Sequence, residues 1–460
     1  MLGSISARLR RSPRTADWAV GFAVAALSVA AILAWLFWGR ALQLAVVMCA
    51  AGAALAYFRY LDIAAALLGF LLLSNLSYFL PGSTSMFFAG TFVVLVLRKL
   101  LQGDVTWRLS AFFLSVVIFA AYYQITGFWV DQTQFYNWGL IIRVIPAVLV
   151  MSELMDSSER YVALFIGAAI GIIFTSVTTV QSAVEFYTSG VADQIANSVN
   201  SIESTRFYGH WPNPNIMSMT ITAFLGGVIA LWRSKLNTAI RYLMLVATVT
   251  GLTAILISLS RTGLIACVFI VGMMLAIERR KLALSLAVTV VVAVLLAVLP
   301  VDLFGRIAVF FDGRDSSSSE RIGLLLGAWK LFWNNPILGA GMGGFENDIL
   351  FILTYLPVGF FAHNTFVDVA VDGGIVGALL FVLTLTFASR GLSWRDWKVD
   401  PSDTMAMINA GLRASFVATI LSLATMTAHT FVPFWVLFTL CAGFGSILNS
   451  DPALNQPAAA

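Results

Sequence analysis

Apolar runs of about 20 residues, each closed by a short polar loop, repeat along the chain almost from end to end. Fourteen are centred near residues 28, 49, 71, 92, 118, 147, 172, 223, 249, 269, 290, 376, 416 and 439. None shows the period-two alternation of a membrane barrel strand. An open sheet is excluded because lipid offers its unpaired backbone groups no water. The pattern predicts an all-α polytopic membrane protein with about 12–14 transmembrane helices. The last two runs form a tight hairpin around Ala428-His429-Thr430, which brings the lower counts into range. The first run follows a basic stretch, MLGSISARLRRSPRTADW, and no small-residue cleavage site ends it at signal-peptide length. It reads as an uncleaved first span.

Two polar interruptions are longer, residues 185–213 and 301–362. In the second, Ser317 and Glu320 have capping-box spacing, and Ile322, Leu325, Leu326, Trp329 and Trp333 then recur on one helical face. Asn334-Asn335-Pro336 stops the pattern. The segment predicts a helix of about fifteen residues from near Ser318, too short to span and suited to lying in the outer membrane interface. The chain thus divides into a basic N-terminus (1–17), eleven spans (18–300), the large exterior loop (301–362), the last spans (363–449) and a tail (450–460). No repeat, low-complexity linker or separate soluble domain is evident.

Composition agrees. Of 460 residues 60% are hydrophobic and 11% charged, with a mean hydropathy of +0.90, which no water-soluble fold of this length accommodates. The net charge of +4 is spread over short loops and forms no stripe for nucleic acid. With the N-terminus inside, the interior loops together with Arg413 hold 19 of the 27 basic residues. Both termini are therefore expected inside. Eight basic residues remain outside: Arg40, Arg143, Arg206, Arg261, Arg306, Arg314, Arg321 and Lys330. The three cysteines, Cys49, Cys267 and Cys441, lie in apolar runs without ligand spacing and read as small buried hydrophobes.

Candidate chemistry gathers on that outer side. Ser260-Arg261-Thr262-Gly263 forms a tight turn, in which Arg261 is either an interfacial anchor or, at a helix start, an anion ligand. In STRFYGHWPNPN (204–215), Arg206 and His210 stand among Phe207, Tyr208 and Trp211, and Asn213 or Asn215 can begin the next span. That stretch is either an aromatic interface belt or a lip facing sugar or phosphate. Arg321 falls in the first turn of the interfacial helix. His363 closes the long loop, Asn364 can cap the following helix, and Asp368 and Asp372 lie one turn apart on it. Carboxylates in such a helix are functional candidates unless a neighbouring helix satisfies them. The glycine-rich GAGMGGF (339–345) has neither a preceding strand nor a following Gly-Lys-Ser/Thr, so it is a close-packing turn and no nucleotide is expected.

Arginine offers a permanently charged fork of donors matched to phosphate oxygens, and histidine can take a proton near neutral pH. Together they suit an enzyme that expels a diphosphate while activating a hydroxyl. No Asp-x-Asp occurs on the outer side and the three histidines have no ligand spacing, so neither metal nor cofactor is expected.

These residues also carry a resemblance. His363-Asn364, nine residues, then Gly374-Ile375-Val376-Gly377 resembles a motif of O-antigen ligases: His, then Asn, Ser or Gln, and after nine residues Gly-x-x-Gly, Thr or Tyr. Arg321 to Leu325 resembles their Arg-x-x-x-Leu motif in the same loop, and the Arg261 turn and the 206–215 lip are similar to further features of the wider ligase and polymerase superfamily. The resemblance covers roughly residues 200–380. It implies a metal-independent, inverting GT-C-type glycosyltransferase of the bacterial inner membrane, with its active site on the periplasmic face. Such an enzyme moves a glycan from undecaprenyl diphosphate to an acceptor such as lipid A-core or a growing polysaccharide. On this reading His363 is the base and Arg321, Arg261 and Arg206 hold the diphosphate, with Asn364, Asp368, Asp372, His210 and Asn213 in support. Fourteen runs depart from the twelve or so of typical ligases. A polymerase or protein O-oligosaccharyltransferase remains as an alternative. A lipid-oligosaccharide transporter fits less well, because such proteins place polar residues at mid-membrane in repeated halves.

Overall fold

A computed structural model of the chain describes residues 61–78, 83–102, 106–129, 139–189, 206–277, 316–345, 362–394 and 399–450. The spans expected near residues 28, 49 and 290 lie outside these, as does half of the 301–362 loop. Among the described residues there are twelve α-helices and no strand. They are α1 (Leu61–Ser74), α2 (Ser83–Gln102), α3 (Ala111–Thr126), α4 (Ile145–Leu154, entered through a π-helical turn, Leu140–Val144), α5 (Ser158–Thr188) and α6 (Pro214–Arg233). There follow α7 (Thr238–Ser258), α8 (Arg261–Ile277), α9 (Ser316–Asn334), α10 (Thr365–Arg390), α11 (Thr404–Leu423) and α12 (Val432–Ser450). Each expected span within the described residues coincides with a helix. Five of these helices, α5, α6, α7, α10 and α11, are long and apolar enough to cross a membrane, and α1, α3, α8 and α12 are shorter apolar helices. The protein is an all-α polytopic membrane protein.

The chain divides into two compact units, residues 1–64 with 76–105, and residues 65–75 with 106–460. The first includes α2 and the opening turn of α1. The second contains every candidate site residue.

At the centre of the second unit α6 is buried along nearly its whole length, packed on α5, α7, α8 and α11. In lipid, helices gain by close packing and by hydrogen bonds between them, which small residues permit. A Cβ on Gly226 would lie 2.3 Å from the Gly411 carbonyl oxygen of α11. The backbones therefore touch there, and the Gly226 amide donates to Ser415 Oγ (3.2 Å). Asn213 caps α6, accepting from the Ile216 amide (2.9 Å), with Pro214 at the first helical position where its missing N–H costs nothing.

Two expectations need correction. Arg413, counted above with the interior loops, is instead fully buried halfway along α11. The surrounding window is apolar enough to carry one arginine inside the bundle, and the inside excess of Lys and Arg survives without it. Helix α9, expected at the membrane interface, is also longer than the sequence predicts, 19 residues from Ser316. Its predicted apolar stripe is the exposed one, with Trp329 61% and Trp333 58% accessible. A second apolar face, Leu324, Ala328 and Leu331, is buried in a cluster with Phe345, Ala362 and Val371. Helix α9 therefore carries two apolar faces, one buried in this cluster and one exposed.

Candidate functional site

His363 occupies the turn that enters α10. Its backbone is left-handed (φ 52°), a conformation rare for a residue with a side chain and several-fold commoner for histidine than for most. Both flanks are fixed. The preceding Ala362 amide donates to Asp368 Oδ1 (3.0 Å), and the following Asn364 caps α10, accepting from the Phe366 and Val367 amides (3.0 and 3.2 Å). Asp368 also accepts from the Thr427 hydroxyl. Its carboxylate is thus occupied in pinning the turn that presents His363.

One turn further on, α10 is broken. Gly374 has φ 61° and ψ −163°, a region essentially reserved for glycine. At the break, where a helix leaves amides and carbonyls unpaired, the glycine-rich strap after α9 supplies partners. Ala340 and Gly341 amides donate to the Val371 and Asp372 carbonyls (both 2.8 Å), and Ile375 donates to the Pro336 carbonyl (2.9 Å). The Asp372 side chain completes the joint, accepting from the Gly343 amide (3.1 Å), the Phe345 amide (3.0 Å) and the Tyr123 hydroxyl of α3 (2.5 Å). Neighbouring Tyr122 donates to the Gly373 carbonyl (2.8 Å). GAGMGGF is therefore the close-packing turn expected, and its role is to lock α9 onto α10. Neither tyrosine was singled out in the sequence. The available signal was two hydroxyl-bearing rings inside an apolar run, which need polar partners when buried.

The turn between α11 and α12 joins this region to the others. Thr365 donates through amide and hydroxyl to the Met426 carbonyl (3.0 and 2.5 Å) and accepts from the Ala428 amide (2.9 Å). One residue earlier, the Thr425 hydroxyl meets that of Thr262 (2.9 Å), next to Arg261 at the start of α8. Arg261 itself is exposed. On the other side of the turn, Arg206 donates to Asn215 Oδ1 (2.9 Å), to which Ser260 also donates (2.8 Å). The 206–215 stretch, the Arg261 turn and the His363 turn are thus hydrogen-bonded into one end of the bundle. The described non-glycine residues with positive φ, Asn75, Leu259 and His363, all sit in turns there, and the Asn75 side chain donates to the His210 carbonyl (2.6 Å). Arg321 lies on α9, near its start and before the residues that pack α9 on α10.

The aromatic lip is only partly a lip. Phe207 packs on Phe186 and Tyr187 of α5 (centroids 5.3 and 5.9 Å), and Trp211 is buried and donates to Thr175 Oγ1 (3.2 Å). Tyr208 and His210 stay half-exposed. The histidines separate by environment. His429 is buried against the Tyr123 ring (5.1 Å), and burial lowers its imidazole from 6.5 to about 4, which keeps it neutral. His363 is the one in the turn joined to both the Asp368 and Arg261 regions. Among the described residues no His, Cys, Asp and Glu side chains group as a metal site would need.

Compared with protein families, residues 246–382 match the family model described as O-antigen ligase. This segment of the chain is similar to the O-antigen ligase family. It runs from α7 into α10, and so contains Arg261, Arg321, His363, Asp368 and Asp372, while Arg206 and Asn213 precede it. A comparison with curated proteins returned no match.

The first glycine of the motif is the one at the break. A Cβ on Gly374 would lie 2.3 Å from the Ile337 carbonyl oxygen, whereas one on Gly373 would make an ordinary 3.5 Å contact with Tyr122. Gly374→Ala should therefore lower the thermal midpoint of the purified protein sharply, since backbone strain alone costs about 1–3 kcal/mol. Gly373→Ala should melt near the parent. Equal midpoints for the two variants would contradict the broken-helix geometry.

Proposed function

We propose that the protein is a periplasmic-face glycosyltransferase that moves a glycan from undecaprenyl diphosphate to a hydroxyl of lipid A-core. The observation carrying this reading is the position of His363, inside the O-antigen ligase segment, at the mouth of a broken helix and hydrogen-bonded through one turn to the Arg261 region. His363 takes the proton of the acceptor hydroxyl as its oxygen attacks the anomeric carbon from the face opposite the leaving group. The bond between that carbon and the diphosphate oxygen breaks, inverting the centre and releasing undecaprenyl diphosphate. The charge developing on the diphosphate is met by Arg261 and Arg321, with Arg206 behind them, in the role a divalent ion has in metal-dependent transferases. The bilayer holds the lipid donor, and no nucleotide or resident cofactor takes part.

Lipopolysaccharide from a strain lacking the gene tests the acceptor. Bare core is expected. Core bearing a single repeat unit would instead identify a polymerase, and unchanged lipopolysaccharide would move the acceptor elsewhere, to a protein or another polymer. Arg321→Lys should reduce transfer about tenfold or more, because a lysine point charge cannot supply two parallel donors to the phosphate oxygens. Parental turnover with lysine there would leave Arg321 as an anchor of α9 alone.

A further inference from the structure

We infer that Asn215 is a positioning residue that sets Arg206 and Arg261 together for the donor's diphosphate. The inference rests on the function proposed above and adds a residue that lies outside the O-antigen ligase segment. Asn215 is the second residue of α6. Its Oδ1 accepts two hydrogen bonds, from Arg206 Nη2 at 2.9 Å and from Ser260 Oγ at 2.8 Å. Arginine can only donate, so the amide must turn its oxygen to this side. Ser260 Oγ in turn accepts from the Gly263 amide (3.2 Å), capping the helix whose first residue is Arg261. Arg206 Nε also reaches the Ser258 carbonyl (3.4 Å), and Ser258 Oγ meets Ser218 Oγ of α6 (2.9 Å). One amide oxygen therefore joins the arginine that precedes α6 to the turn that presents the arginine opening α8.

The side chain is not spent on its own helix, because Asn213 already caps α6. A neutral acceptor also differs in kind from a carboxylate. It orients the Arg206 guanidinium without cancelling its charge, whereas an aspartate at the same place would form an ion pair and compete with a phosphate for the same donors.

This distinction makes Asn215→Asp the informative variant. It keeps an acceptor for both donors, so a purely structural role predicts a protein like the parent. The positioning role predicts a loss of diphosphate binding. The full-length protein, purified and supplied with an undecaprenyl-diphosphate-linked glycan and its acceptor, is assayed alongside Asn215→Leu and Arg261→Ala, with inorganic diphosphate as a competing probe. Both Asn215 variants should raise KM for the donor and the inhibition constant of diphosphate about tenfold. Their kcat should fall less than their KM rises, and the Asp variant should melt like the parent. If Asn215→Leu fails to fold, the Asp variant alone decides. Parental KM and inhibition constant in Asn215→Asp, with donor binding lost in Arg261→Ala, would overturn the positioning role and leave the proposed function standing. Parental donor binding in Arg261→Ala would overturn the diphosphate grip, and the role of Asn215 with it.

Discussion

Replacing His363 with alanine is expected to abolish glycan transfer, by about 10²–10⁴-fold for loss of a general base, while the protein still inserts in the membrane. The side chain opens α10 from a turn whose backbone is held independently of it, by Ala362 to Asp368, Asn364 to Phe366 and Val367, and Thr365 to Met426. The left-handed backbone at 363 adds a complication, because alanine tolerates φ 52° less well than histidine. The substitution His363→Asn avoids it, since asparagine accepts that conformation and cannot act as a base at neutral pH. Both variants should be inactive, and the asparagine variant should match the parent in thermal midpoint and yield. Full transfer by His363→Asn would remove the base assignment and leave His363 as a structural turn residue. Inactivity with a collapsed midpoint in alanine alone would still leave the asparagine result to decide.

How much of this was legible in the sequence depends on whether a feature is set by near neighbours or distant ones. Hydropathy located the helices because a span must be apolar over its own length, whatever it packs against. Asn213 and Asn364 were legible as helix starts because a cap bonds amides two or three residues ahead. The stripe of α9 was legible for the same local reason, but Leu324, Ala328 and Leu331 were not recognised as a second buried face, because that face is defined by Phe345, Ala362 and Val371. Arg413 looked like a loop cation because a lone arginine carries no mark of the helices around it. Asp368 and Asp372 stood out as costly carboxylates, yet their partners, Thr427 and Tyr123, are 59 and 249 residues away in the chain. A single sequence contains no trace of such pairings. The same holds for Asn215, legible as a possible helix start and not as the acceptor joining two arginine-bearing loops.

Asp372→Ala should release the strap and uncouple α9 from α10, with loss of transfer following from displacement of the Arg321 helix relative to His363. The substitution strands the buried Phe345 amide, the Gly343 amide and the buried Tyr123 hydroxyl. A buried donor left without an acceptor costs about 1–3 kcal/mol, and the two buried losses, at Phe345 and Tyr123, are a large share of the stability margin of an ordinary domain, about 5–15 kcal/mol. Asp372→Asn is the gentler control, since its amide keeps one oxygen for the strap but cannot serve all three donors, and it should fall between alanine and the parent. Hydrogen exchange on the purified protein separates local release from global unfolding. Amides of Ala340, Gly341 and Gly343 should lose protection in the alanine variant, while those of α6 and α11, packed through Gly226 and Gly411, keep theirs. Protection unchanged in the strap would mean that the backbone pairs with Val371, Asp372 and Pro336 suffice to hold it. An Asp372→Ala protein inactive with its strap still protected would put the carboxylate in the chemistry itself rather than in the joint.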